Sequence, residues 1–119
     1  MKTHPREILI FYNEESSKDK KLLAYAKSTG FKIRSYAHAK APYTSTGWKL
    51  ILDTLKMHPK ELMNKADPFY QDNLRGKEFD DDGWLSVIKN NPNLIKSPIA
   101  MKGNKAILCN TPTDIYRLT

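Results

Sequence analysis

Asn90-Asn91-Pro92-Asn93-Leu94-Ile95-Lys96-Ser97-Pro98-Ile99-Ala100 is the stretch on which the reading of this 119-residue chain turns. Before it lies an amphipathic helix carrying Trp84, Leu85, Val87 and Ile88, capped by Asp80 or Asp81. Pro92 closes that helix, because proline has no N–H to continue the ladder. After it, Pro98-Ile99-Ala100-Met101 and Lys105-Ala106-Ile107-Leu108-Cys109 flank Gly103-Asn104, the pattern of an antiparallel hairpin. Thr111-Pro112-Thr113-Asp114 then offers an N-cap, a proline in the first turn and an acid three residues on. It predicts a last helix holding Ile115, Tyr116 and Leu118.

Working outward to the N-terminus, Glu7-Ile8-Leu9-Ile10-Phe11-Tyr12-Asn13 is a short apolar run with β-branched and aromatic members, and it reads as a buried strand. Ser16 followed by Asp19 resembles a capping box. The helix it opens carries Leu22, Leu23, Tyr25 and Ala26, and Gly30 is placed to stop it. Phe31 to Ala37 alternates, with Phe31, Ile33 and Ser35 on one face and Lys32, Arg34 and Tyr36 on the other. A strand, a helix and a second strand imply a parallel pair. Between residues 44 and 91 the pattern is helical. Thr44 or Ser45 caps a stripe of Trp48, Ile51, Leu52 and Leu55, Pro59 starts a short helix through Met63, and Asp67-Pro68-Phe69-Tyr70 starts another short turn or helix.

The composition bounds the function. A chain with 39% hydrophobic and 28% charged residues is neither disordered nor fibrous, and 119 residues make one domain. Its longest apolar run, Ile8 to Tyr12, is far too short to span a bilayer, and Met1-Lys2-Thr3-His4-Pro5 is no secretory signal, so a cytoplasmic protein is expected. The single cysteine, Cys109, excludes an internal disulfide, and His4, His38 and His58 do not cluster at metal spacing. Neither a metal nor a cofactor is expected. The net charge of +7 lies wholly in residues 1–65, which carry 13 Lys and Arg against 6 Asp and Glu. The lysines are scattered with few aromatics among them, which argues against nucleic acid and for a solvated surface.

The order β-α-β, helices, β-β-α is the thioredoxin-like (glutaredoxin-like) α/β arrangement with a helical insertion. The segment Leu94-Ile95-Lys96-Ser97-Pro98-Ile99 resembles the proline signature of the arsenate reductase (ArsC) and Spx family. Ile8 to Asn13 is similar to that family's first strand, Tyr36 with Ala41-Pro42 to its second strand and the loop after it, and Leu62-Met63-Asn64-Lys65 with Pro68-Phe69-Tyr70 to its mid-helical block. The resemblance runs over about residues 7–118 and implies a cis bond before Pro98.

The resemblance also says where chemistry would sit, and those positions are changed. The family's catalytic cysteine, at a helix N-terminus where amides lower a thiol's pKa, falls on Ser16. Its arginines fall on Asn64, Ser97 and Asn110, leaving Lys20, Lys65 and Lys96 as the cations of an oxyanion site. The CxxC pair of Spx-type regulators would need thiols near Ser16 and Asp19. From the residues alone, Ser16 reads as a helix cap, Cys109 as a buried inert thiol, Asp80-Asp81-Asp82 as a cap and dipole partner, and Trp48 and Trp84 as core.

The expectation is a non-catalytic binding or regulatory domain. Its relic groove comprises Asn13, Glu14, Glu15, Ser16, Ser17, Lys20, Lys65, Ser97 and Pro98, and its partner is a protein or peptide segment. Glu14 and Glu15 are expected to outweigh the helix N-terminus, giving weak oxyanion binding and a preference for neutral or basic segments. Two alternatives stand beside it: an Spx-like regulator binding an acidic surface such as that of RNA polymerase, and a thiol- or glutathione-linked reductase with residual activity. Monomer and homodimer are both compatible with the chain.

Overall fold

The computed structural model describes residues 4–37, 40 and 44–119. His38, weighed as a metal ligand, and Ala41-Pro42, part of the family resemblance, lie outside the described residues, as do Met1, Lys2 and Thr3. The elements are β1 (Glu7–Tyr12), α1 (Ser17–Lys27), β2 (Lys32–Ala37), α2 (Ser45–Leu55), α3 (Pro68–Asn73), α4 (Asp81–Asn90), β3 (Ile99–Lys102) and β4 (Lys105–Leu108). Short 3-10 turns span Pro59–Leu62, Pro92–Leu94 and Pro112–Leu118. The sheet order is β2-β1-β3-β4. β1 is parallel to β2, with Ile8 opposite Ile33 and Phe11 opposite Tyr36, and antiparallel to β3, with Leu9 opposite Met101 and Phe11 opposite Ile99.

The period of two along the strands divides the core. Ile8 and Ile10 of β1 and Ala100 of β3 face one side, where Leu22 and Ala26 of α1 and Ile115 and Leu118 of the C-terminal turn cover them. Leu9, Phe11, Ile99 and Met101 face the other, beneath Trp48, Ile51 and Leu52 of α2 and Trp84, Leu85 and Ile88 of α4. β1 is therefore buried on both faces, which is why its sequence is a continuous apolar run rather than an alternating one. Both tryptophans are core residues, and Phe11 packs against Trp48 with ring centroids 5.7 Å apart.

Local chemistry sets most of the boundaries. Thr44 Oγ1 accepts from the Gly47 N–H, Asp67 Oδ1 from Phe69 and Asp80 Oδ1 from Gly83, so each helix opens on a side-chain cap. Gly103 sits at φ +61°, the left-handed conformation the hairpin turn demands.

Three expectations need correction. α1 ends at Lys27, before Gly30, because the Ser28 and Thr29 hydroxyls bond back to the carbonyls of Tyr25 and Ala26. Phe31 precedes β2 rather than starting it, and its ring lies under Lys102 Nζ at 4.8 Å. The alternation of β2 holds, with Ile33 packed on one core and Tyr36 on the other, where it stacks on Phe11 with centroids 6.1 Å apart. The last helix is a 3-10 turn, Pro112–Leu118, held by Asp114 Oδ2 accepting from the Asn110 and Thr111 N–H groups.

Candidate functional site

Two loops meet at the C-terminal end of β1. The first is Asn13 to Ser16, leading into α1. Ser16 is the N-cap of α1: its Oγ accepts from the Asp19 N–H at 3.2 Å. The reciprocal half of a capping box is absent. Instead Asp19 turns inward, with none of its surface exposed. One carboxylate oxygen accepts from the Asn13 N–H at 2.8 Å and the other from the Ser16 hydroxyl at 3.2 Å. The Ser16 N–H goes to the Asn13 carbonyl, and Asn13 Oδ1 accepts from Glu15. A buried carboxylate thus ties the loop together directly beneath the Ser16 hydroxyl.

The second wall is built from residues 62–64 and 94–98. Lys96 N–H donates to the Leu62 carbonyl (2.8 Å), Asn64 N–H donates to the Leu94 carbonyl (2.7 Å), and Met63 bridges Ile95 between them. This staple fixes Asn64, Lys96 and Ser97 relative to the sheet. The Ser97-Pro98 bond is cis, and the Pro98 carbonyl accepts from the Cys109 N–H at 2.9 Å. Among the described residues nothing bonds to the backbone N–H or C=O of Ser97.

Between the walls is a groove of about 320 Å³, lined by Asn13, Ser16, Lys18, Asp19, Asn64, Asn93, Ile95, Lys96, Ser97, Leu108 and Asn110. The structure brings together Asn13, Ser16, Asn64, Lys96, Ser97 and Asn110 of the residues singled out from sequence. It leaves Glu14, Glu15, Ser17, Lys20 and Lys65 outside the lining and exposed, and Pro98 buried behind it. The expected dominance of Glu14 and Glu15 is therefore corrected: the groove's charges are Lys18 and Lys96 against the engaged carboxylate of Asp19. Lys18, Asp19, Asn93, Ile95 and Leu108 were missed as lining residues. Asp19 carried a sequence signal, its spacing from Ser16, but that spacing points to a cap and not to burial.

Cys109, the only thiol in the chain, is 1% exposed, and burial pushes its pKa up to about 12, with the Asp114 charge adding to the effect. It directly follows β4 and packs in the core with Leu22 and Ala26 of α1. No group of three His, Cys, Asp or Glu side chains able to hold a metal occurs among the described residues, and no helix of theirs is long and apolar enough to cross a membrane.

A sheet of this order, with helices on both faces and a cis proline opening β3 beside the N-terminus of α1, defines the thioredoxin-like class. The chain belongs to the ArsC family, whose model matches residues 11–118. Solved structures agree in fold. The arsenate reductase of Vibrio cholerae superposes with a TM-score of 0.87 at 19% identity, over 98% of this chain and 100% of that one. A proposed arsenate reductase of Yersinia pestis gives 0.85 at 24% identity, over 92% and 98%. A proposed ArsC-family related protein of Bacteroides fragilis gives 0.78 at 14% identity, over 95% and 99%. No curated protein sequence matches the chain significantly.

Proposed function

We propose that this ArsC-family chain is a non-catalytic binding or regulatory domain that holds an extended protein or peptide segment in the groove between Ser16 and Ser97. The observation that carries the reading is the state of the Ser16 hydroxyl. By the sequence resemblance it takes the place of the family's thiol. It is engaged on both sides by Asp19, accepting from the amide and donating to the buried carboxylate. A nucleophile there needs its developing negative charge stabilised, and a carboxylate at hydrogen-bond distance does the reverse. The remaining thiol, Cys109, is sealed in the core and held protonated.

Binding is supported by what the groove keeps. The free N–H and C=O of Ser97 can pair with an extended segment as a neighbouring strand would. Asn64, Asn93 and Asn110 offer side-chain amides as donors and acceptors where guanidinium forks would select an oxyanion. With Lys18 and Lys96 on the rim, the groove favours a neutral segment over a basic one.

The test is a 15N NMR titration with a neutral extended peptide and its lysine-rich counterpart. The neutral peptide is expected to shift the amides of Ser97, Asn64 and Asn110 saturably and to do so better than the basic one. Saturable shifts elsewhere with these amides unmoved would overturn the assignment of the groove.

A further inference from the structure

We propose that the free edge of β4 is a second docking site, which takes an extended acidic peptide segment as a fifth strand of the sheet. The site lies toward the end of the sheet opposite the groove: β1 runs away from it, and Gly103 of the adjoining turn approaches Pro5. Among the described residues no strand flanks β4 on its outer side. A hollow of about 390 Å³ runs along that edge. Its apolar wall is Leu55, Ala106, Ile107 and Leu118, and its cations are Lys56, Lys105 and Arg117. These cations come from three different elements: the end of α2 on one face of the sheet, β4 itself, and the C-terminal turn on the other face. A neighbouring hollow of about 240 Å³ shares Lys105 and Arg117 and adds Lys102.

Three further observations point to an acidic strand. The register pairs Lys102 with Lys105 across a two-residue turn, so in the alternation of an antiparallel ladder the next residue, Ala106, turns its N–H and C=O outward along the edge. Those are the groups that strand addition uses. None of Lys56, Lys105 and Arg117 is in an ion pair among the described residues, although Arg117 does act on Asp114 through its charge. On the other edge of the sheet, by contrast, Arg34 is already bonded to Glu7 and Tyr36. Lys56 also sits at φ 59°, ψ 42°, the left-handed C-cap that glycine fills most easily, so the cation is present where local conformation does not favour it.

A second copy of the chain does not fit this edge. Pairing β4 with β4 would bring Lys56, Lys105 and Arg117 of both copies together, and like charges across an interface oppose association.

The experiment titrates the 15N-labelled full chain with a synthetic peptide of alternating Glu and Val, with its Lys counterpart, and with tripolyphosphate as a plain polyanion. The acidic peptide is expected to shift the amides of Lys56, Ala106 and Ile107, with affinity falling as salt rises. Lys56→Gly should bind about threefold more weakly and Lys105→Glu about tenfold more weakly. Lys56→Gly relieves a left-handed lysine and keeps its fold, so its loss of binding reports the charge alone. Equal binding of the Lys peptide, equal affinity for tripolyphosphate at the same amides, shifts confined to Ser97 and its groove, or unchanged binding in both variants would each overturn the proposal. The groove reading is independent of this result, since its own probe is the neutral peptide and its own amides are Ser97, Asn64 and Asn110.

Discussion

Replacing Asp19 with alanine tests whether the buried carboxylate organises the loop at the head of α1. Asp19 is wholly buried, accepts the Asn13 N–H at 2.8 Å, and accepts the Ser16 hydroxyl at 3.2 Å. A hydrogen bond to a charged group contributes about 1.5–3 kcal/mol, and the variant also leaves the Asn13 amide without its acceptor, so a loss of about 3 kcal/mol is expected. With an unfolding entropy of about 2.1 cal/mol/K per residue, 119 residues give about 0.25 kcal/mol/K, and 3 kcal/mol lowers Tm by about 12 °C. Asp19→Asn keeps a carbonyl acceptor for Asn13 and should lose about half as much. Urea unfolding followed by tryptophan fluorescence, with Trp48 and Trp84 both in the core, reads the difference. A loss below about 1 kcal/mol for Asp19→Ala would refute the reasoning, because removal of a surface cap costs that much.

Cys109 should react with a thiol reagent about a hundredfold or more slowly in the folded state than after denaturation, since the thiolate is the reacting form and burial holds the thiol near 12; comparable rates would contradict its placement. A thiol introduced by Ser16→Cys should be held protonated by Asp19, and the double variant Ser16→Cys, Asp19→Asn should react about tenfold faster at neutral pH; equal rates would show that the carboxylate does not govern this position. Asp114 has its pKa held below the usual 3.8 by the Thr111 and Asn110 amides, so its contribution is complete above about pH 4 and lost as pH falls through the lowered value. Unfolding curves of Asp114→Asn and wild type should therefore differ at pH 6 and converge near pH 2; a constant difference would contradict that cause.

Much of the fold was legible because periodicity and caps are local signals. The continuous apolar run Ile8 to Phe11 marks a buried strand, and its two faces are the two cores. Ser16 caps the helix its spacing foretold, and of the paired candidates Thr44 or Ser45 and Asp80 or Asp81 the first of each is the cap. What was missed depends on tertiary context. Asp19 has the spacing of a cap, but its direction is set by the Asn13 amide across the loop. Glu14 and Glu15 neighbour Ser16 in sequence and still lie outside the groove's lining, while Lys18, the second residue of α1, lines it. Chain proximity does not report which side of a helix start faces a cleft that residues 62–64 and 94–98 complete from far along the sequence.

The central claim is that the ArsC fold is kept here without its redox chemistry, and arsenate turnover tests it most directly. The purified chain is assayed with arsenate, glutathione and glutaredoxin, and separately with thioredoxin, beside Cys109→Ser. The account predicts no turnover above the buffer blank in either protein, because Ser16 offers no thiol and Asp19 disfavours negative charge beside it. Turnover above the blank that survives Cys109→Ser would contradict it.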